Sequence, residues 1–381
     1  MSPNHDGTAL TAAAGCGPLG ASRGAAAIRA RLTIDLAAVA ANWRALDALS
    51  APAVETAAVV KADAYGLGAA RVGPALAAAG ARSFFVALAE EGAALREALG
   101  PGPAIYVFAG LMPGDAALVR SHALVPCLNS PGQIADFARD CAGLPCAVQL
   151  DSGMNRLGLE PAELNDALPA LLRLAPVLAI SHLACSDDPA HPMNRAQAAA
   201  FEALTAHLPG TRRSLAATGG VLLGEAWHFD LVRPGIGLYG GRPFTDARPA
   251  VRLSLPVVQV REVGAGEAVG YGAAWTAVRP SRIATVSAGY ADGLARTLGR
   301  GHLALFAGET AVPVVGRVSM DLLTADVTGL EEVPPTLVIL NDFQGIDALA
   351  EAAGTIGYEV LTSLGHRYDR VYKDAPPPAS T

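Results

Sequence analysis

From residue 57 onwards the chain alternates short runs rich in apolar residues with longer stretches that place alanine and leucine at helical spacing. The runs at 57–60, 83–87, 104–108, 124–128, 146–150, 177–182, 213–217 and 229–233 read as buried strands. Between them, Leu88 to Leu99, Ser130 to Asp140, Pro161 to Leu174 and Met193 to His207 read as helices, long enough to serve as parallel crossovers. Eight such units predict a (β/α)8 barrel, with a doubly wound open sheet as the competitor. Lys61, Asp151, His182, Thr218 and Arg233 separate the two, because each falls at or just beyond the carboxyl end of a predicted strand. A barrel gathers its functional groups at that face, whereas an open sheet concentrates them at one switch point. The barrel is therefore favoured.

Ahead of the first barrel strand, Arg31 to Leu36 alternates like a strand and Ala37 to Leu49 carries Trp43, Leu46 and Leu49 at helical spacing. That leading strand can belong to the barrel or to a second domain. After about residue 250 the rhythm changes to apolar runs at 251–255, 257–260, 283–286, 302–306 and 312–318, punctuated by proline and glycine. No long helical pattern returns until about Gly345, which predicts a mostly β domain over 251–373 beside a barrel domain over 31–250. Residues 1–30 read as a flexible leader without the sustained apolar stretch of a secretory signal, and 374–381 as a disordered tail. No apolar run approaches the roughly 20 residues of a membrane span.

Composition narrows the function without naming it. The 381 residues are 51% hydrophobic and 17% charged, a globular rather than a disordered balance. A net charge of −7 spread without runs of either sign argues against nucleic acid or an anionic membrane as partner and leaves a small-molecule substrate. Five cysteines (Cys16, Cys127, Cys141, Cys146, Cys185) lack metal-ligand or CxxC spacing, so free thiols in the cytoplasm and no metal site are expected.

Among the candidate chemical groups, Lys61 ends the apolar run Ala57 to Val60 and is followed by a loop with a tyrosine and two glycines. A lysine delivered to the edge of a buried strand can lose its charge by desolvation, as imine chemistry requires, although an isolated lysine there more often snorkels to water. Taken alone, His182 reads as a structural histidine closing a strand, Arg156 as a solvated residue of a glycine turn, and Tyr271 as a strand aromatic.

Strings spread along the chain change these odds. They are VVKADAYGLG at 59–68, DSGMNRLG at 151–158, SHLA at 181–184, DLVRPGIGLYG at 230–240, VGYGAAW at 269–275, GYADG at 289–293, GRVSMD at 316–321 and GYEV at 357–360. In order, they resemble the motifs of alanine racemases, fold-type III enzymes dependent on pyridoxal 5'-phosphate (PLP). The resemblance runs from about residue 32 to 372. It implies that PLP is carried by Lys61, that Arg156 hydrogen-bonds its phenolic oxygen, and that Arg233 faces its ring nitrogen with His182 holding the arginine. An arginine is already charged and cannot accept a proton, so the ring nitrogen should stay unprotonated. Thr218, Gly235 and Ile236 fall in the loops after strands seven and eight, where barrels commonly bind phosphate, and Tyr65 is the implied further phosphate contact.

Racemisation removes a proton from one face and returns it to the other, which calls for two acid–base groups. The resemblance assigns these to Lys61, toward the D-enantiomer, and Tyr271, toward the L-enantiomer, with Tyr271 supplied by the neighbouring subunit of a homodimer. A chain of hydrogen bonds through His182 and Arg233 would tune that tyrosine. Met320, Asp321 and Tyr290 resemble substrate-pocket and entrance residues, and Arg156 would also meet the substrate. The chain departs from the family at Ala217-Thr218, where an Asn-Ser pair is usual, and at His366, where several members have a phosphate-contacting tyrosine. It departs again at Gln149, where some have a carbamylated lysine, and an unmodified Gln149 amide bonding Arg156 is expected instead. The implied activity is interconversion of L- and D-alanine, supplying D-alanine for peptidoglycan. A serine or broader-specificity racemase shares every motif, since a small pocket rejects one hydroxyl poorly. A decarboxylase of the same fold type and a non-catalytic PLP-binding protein are the other competitors, and the second domain with Tyr271 argues against the last.

Overall fold

A computed structural model describes residues 29–300 and 303–374; most of the expected leader, Cys16 and the tail beyond Asp374 lie outside the described residues. Seven parallel strands follow one another in sequence order, namely Ala58–Val59, Ser83–Val86, Ala104–Val107, Val125–Leu128, Ala147–Gln149, Leu178–Ile180 and Arg212–Ser214. An eighth, Leu231–Val232, closes the ring. It pairs in parallel with Glu55–Thr56, the first half of the first barrel strand, and reaches the seventh through a parallel bridge between Ala217 and Arg233. Ala57 N donates to Val232 O at 2.9 Å and Val59 N to Pro234 O at 3.0 Å, so the seam is hydrogen-bonded throughout. The chain thus folds as the (β/α)8 barrel, and the open sheet is excluded by the closure.

The helices start where their sequences place a cap. Ser130 accepts from Gln133 N ahead of Pro131–Asp140, and Pro161 opens Pro161–Leu174 behind a Glu160/Glu163 capping box. Apolar residues at helical spacing then turn inward; Ile134 and Phe137, for example, are almost fully buried. The helix after the leading strand spans Leu36–Asp47 and buries Trp43 and Leu46, whereas Leu49, expected on the same face, lies past its end and is exposed.

The leading strand Arg31–Asp35 belongs to the β domain. It lies between Val251–Val263, antiparallel, and Asp369–Lys373, parallel. The sheet continues from Val251–Val263 through Thr336–Leu340, Ala304–Ala307, Thr310–Val315 and Leu322–Asp326 to Ser281–Ser287, which pairs back on Val251–Val263. Where the sequence pattern suggested two runs, 251–255 and 257–260, one 13-residue strand passes through Pro256. The strand changes partners there, from Thr336–Leu340 to Ser281–Ser287, with register shifts on both sides, which is where a residue lacking an amide donor can sit.

One buried hydrogen bond ties the barrel's closing turn to its first strand. Tyr239, fully buried after the eighth strand, donates its hydroxyl to Val59 O at 2.9 Å, two residues from Lys61. Tyr239→Phe removes the donor and leaves a buried carbonyl short of a partner, a loss of about 1–3 kcal/mol. Urea unfolding should show a lower midpoint with an unchanged slope.

Candidate active site

Lys61 leaves the first strand into a tight left-handed turn rather than an open loop. Ala62, Asp63, Ala64 and Tyr65 have φ of 52, 53, 55 and 56°, a conformation that L-residues avoid as a run. Bonds to the flanking backbone and to distant elements hold it. Ala64 N donates to Val60 O at 2.8 Å, Gly68 N to Asp63 O at 2.9 Å, and Ala69 N to the Asp63 carboxylate at 2.6 Å. From the β domain, Arg370 donates to Gly66 O and the Tyr372 hydroxyl to Leu67 O. The turn sends Lys61 toward the barrel mouth, with Nζ 5.8 Å from the centre of the Phe108 ring.

A cavity of about 730 Å³ opens there, of the size that takes a cofactor or drug-sized ligand. Its floor carries Lys61, His182, Phe108 and Arg233; its far end carries Tyr65, Thr218, Gly235, Ile236 and Tyr358. Arg233 is 2% exposed and, among the described residues, forms no ion pair with a carboxylate. It donates instead to Ser214 O at 2.8 Å, to the Ser214 hydroxyl, and to Ser181 O at 2.6 Å. Nε carries none of these bonds. Burial pushes the guanidinium down to about 10, which still leaves it charged at neutral pH. A buried cation without a counter-ion leaves this cavity suited to an acceptor or an anion.

At the far end Thr218 Oγ1 accepts from Gly235 N at 3.0 Å and Gly237 N at 3.3 Å, which commits its lone pairs and turns its proton outward. Gly235 is required by close approach, since a Cβ there would collide with the Tyr65 hydroxyl. The Tyr65 ring in turn lies 4.7 Å from that of Tyr239 and 5.9 Å from that of Tyr358. Burial raises the Tyr65 phenol well above its ordinary value and Tyr358 to about 12, so both are hydroxyl donors at neutral pH.

The lining carries Lys61, Arg233 and Arg242 together with Asp187, Asp347 and Glu351, and cations predominate around His182. Desolvation, followed by Arg156, lowers the Lys61 amine, while Glu91 opposes the shift. Desolvation and then Arg233, Arg156 and Lys61 push His182 down to about 3. A neutral imidazole is what burial, with three cations nearby, leaves.

Several sequence expectations are corrected. His182 makes no hydrogen bond to Arg233, whose donors go to Ser181 and Ser214, so the expected chain through the histidine is replaced by one through strand-end carbonyls. Gln149 is buried and does not bond Arg156, which stands exposed at the mouth outside the lining. Asp151 folds onto its own turn, accepting from Gly153 N at 2.8 Å and Met154 N at 2.9 Å. His366 is exposed and outside the cavity, and the tyrosine at that end is Tyr358, which the motif comparison matched without giving it a place in the site.

Four expected site residues stand away from this cavity. Tyr271 is 70% exposed on the short turn Tyr271–Ala273, and Tyr290 and Met320 are also exposed. Asp321 faces Arg367 Nη1 at 2.8 Å. The same guanidinium grips the buried Asp292 through Nε at 2.6 Å and Nη2 at 2.8 Å, and Tyr290 N donates to Ser319 O. One arginine thus joins the loops carrying Tyr290, Met320 and Asp321 into a single exposed unit.

The family profile of the alanine racemase N-terminal domain matches residues 34–243, and that of the C-terminal domain matches 250–372. An alanine racemase of Cereibacter sphaeroides is 62% identical over 343 residues, covering 90% of this chain and 98% of that protein. One from a Ruegeria species is 59% identical over 343 residues, covering 90% and 99%. The crystal structure of alanine racemase from Bartonella henselae with covalently bound pyridoxal phosphate superposes with a TM-score of 0.86 at 37% identity, covering 91% of this chain and all of that one.

The depressed His182 value sets a direction with pH. An unfolded chain would take up the proton near 6.5 and the folded one only near 3, so His182's contribution to stability is complete above the first value and lost progressively toward the second. Its ring-proton NMR shifts should stay flat between about pH 5 and about pH 8. Replacement by asparagine should make the fall in stability with acid shallower.

Proposed function

The chain belongs to the alanine racemase family, and we propose that it interconverts L- and D-alanine using PLP bound in the cavity at the barrel mouth. The observation that carries this reading is the convergence of a depressed lysine, an unpaired buried guanidinium and a set of hydroxyl donors around one cavity. The residues present suit the cofactor. Lys61 offers an amine that burial deprives of its proton more readily than usual. Arg233 Nε offers a donor to a ring nitrogen, and Thr218, Tyr65 and Tyr358, with the backbone at Gly235 and Ile236, offer donors to a phosphate. Bound there, PLP supplies the electron sink that lets an α-proton leave.

What this chain's residues do follows from their charges. Arg233 has no acceptor for a proton, so it would leave a ring nitrogen opposite it unprotonated and would moderate the electron sink that such a ring supplies. Lys61 Nζ takes or returns the proton on the face of D-alanine. His182, neutral among cations, fills the floor without competing for that proton. Arg156 at the mouth attracts the substrate carboxylate, and its exposure and freedom suit a group that orders when substrate arrives.

The second acid–base group is Tyr271, acting on the face of L-alanine in a partner's cavity. The supporting observation is that it stands exposed away from its own cavity, as do Tyr290, Met320 and Asp321, whose loops Arg367 joins. A homodimer in which each β domain completes the other barrel's site accounts for exposed apolar side chains at Tyr271, Val278, Tyr290 and Met320. No helix among the described residues is long and apolar enough to cross a membrane. The free thiols of Cys127, Cys141, Cys146 and Cys185 suit the cytoplasm, where D-alanine would feed peptidoglycan synthesis.

The direct test is a chiral assay of the purified protein on alanine and serine, in which turnover of alanine is expected and its absence would sink the reading. A second test addresses the shared site. Lys61→Ala and Tyr271→Ala proteins should each be inactive. Unfolded and refolded together, they should regain about a quarter of wild-type activity, because half the dimers are mixed and each mixed dimer holds one intact site of two. No recovery would place Tyr271 in its own chain's reaction, and an active Tyr271→Ala protein would place it in none.

A further inference from the structure

We propose that Glu91 is a positioning residue for Lys61, its carboxylate clamping the left-handed turn to the neighbouring strand so that the lysine stays aimed into the cavity. The inference rests on the reading of Lys61 as the cofactor lysine and goes beyond it by assigning what holds that lysine.

The first and second barrel strands pair as Ala58 with Phe84 and Val59 with Phe85, and the ladder ends where Val60 N donates to Phe85 O at 2.9 Å. Beyond that rung the two chains diverge, one into the turn after Lys61 and the other toward the helix Ala89–Leu99. Glu91, in the first turn of that helix, spans the gap. Its Oε1 accepts from Ala62 N at 2.9 Å and its Oε2 from Ala87 N at 2.7 Å. The carboxylate therefore supplies one more rung of strand pairing, made by a side chain, next to the residue that carries the chemistry.

Glutamates in the first turn of a helix often accept from an amide at their own helix start and do nothing more. Glu163 is such a case here, its carboxylate accepting from Glu160 N at 3.1 Å. The Glu91 bond to Ala87 is of this kind, but the bond to Ala62 reaches 29 residues back to the amide that follows Lys61. Ala62 is exposed, so without Glu91 its amide would bond water; folding would survive and the orientation of the turn would loosen. A small loss of aim at a proton-transfer group costs turnover far more than binding.

Glu91→Ala and Glu91→Gln are compared with Glu163→Ala, which removes a helix-start glutamate of the other kind. Amide hydrogen exchange of the segment Lys61 to Gly66 is measured in each purified protein, together with kcat and KM for alanine. Glu91→Ala should speed exchange in that segment and lower kcat, each by about tenfold or more, with KM near the wild-type value. Glu91→Gln retains one acceptor oxygen and should fall between it and wild type. Glu163→Ala should leave both readouts at wild-type levels. Unchanged exchange at Lys61 to Gly66 in Glu91→Ala, or a kcat loss no larger than that of Glu163→Ala, would overturn the proposal. A wild-type protein inactive on alanine would overturn the functional reading instead, and the exchange measurement would still decide whether Glu91 holds the turn.

Discussion

Everything about the site depends on one piece of unfavourable backbone, the run of left-handed residues from Ala62 to Tyr65. Four such residues cost roughly 4–8 kcal/mol at about 1–2 kcal/mol each. Two bonds to carboxylates, from Ala62 N to Glu91 and from Ala69 N to Asp63, each worth about 1.5–3 kcal/mol, offset much of that cost. The contributors come from different parts of the molecule. Asp63 is inside the turn, Glu91 is on the next barrel helix, and Arg370 and Tyr372 are on a strand of the β domain. The lysine's direction is thus set jointly by both domains, which gives the second domain a structural role in the site before any partner subunit is considered.

A second constraint is the burial of charge without a counter-charge. Arg233 is held by carbonyls and a hydroxyl at the ends of strands six and seven, a solution open to a barrel because its strand ends all present acceptors to one face. The carbonyls satisfy the donors without neutralising the guanidinium, so its field adds to the burial that keeps His182 uncharged. With Lys61 and Arg156 nearby, the surroundings of His182 carry the sign that attracts an anion, while Asp187, Asp347 and Glu351 line the rest of the cavity. The overall charge of −7 gives no hint of this local reversal.

The same C-terminal segment serves two faces. Arg370 reaches Gly66 beside the chain's own lysine, and Arg367, one helical turn's worth of residues earlier, joins Asp292 and Asp321 on the exposed unit. Both arginines act on backbone or carboxylates rather than on a ligand. Their effect is to keep two separate groups of candidate site residues in register with one sheet.

By itself the sequence determined the alternation of strands and helices, because a parallel strand buried on both faces must be a short apolar run and the helices must show apolar residues at helical spacing. It also determined which residues stand at strand ends, Lys61, Thr218 and Arg233 among them, since an end position is a property of the run that precedes it. Tertiary structure decided what those residues face. The leading strand Arg31–Asp35 joined the β sheet because its partners, Val251–Val263 and Asp369–Lys373, lie more than 200 residues away, beyond the reach of any local pattern. His182 lost its expected bond to Arg233 because the guanidinium found nearer carbonyls, and Tyr358 rather than His366 reached the cavity because a short helix turned it there. Glu91 carried no signal beyond an acidic first turn, since its bond to Ala62 exists only once two strands are side by side. The sequence placed a lysine at the end of a strand; only the closed barrel, with the sheet behind it, gave that lysine a direction.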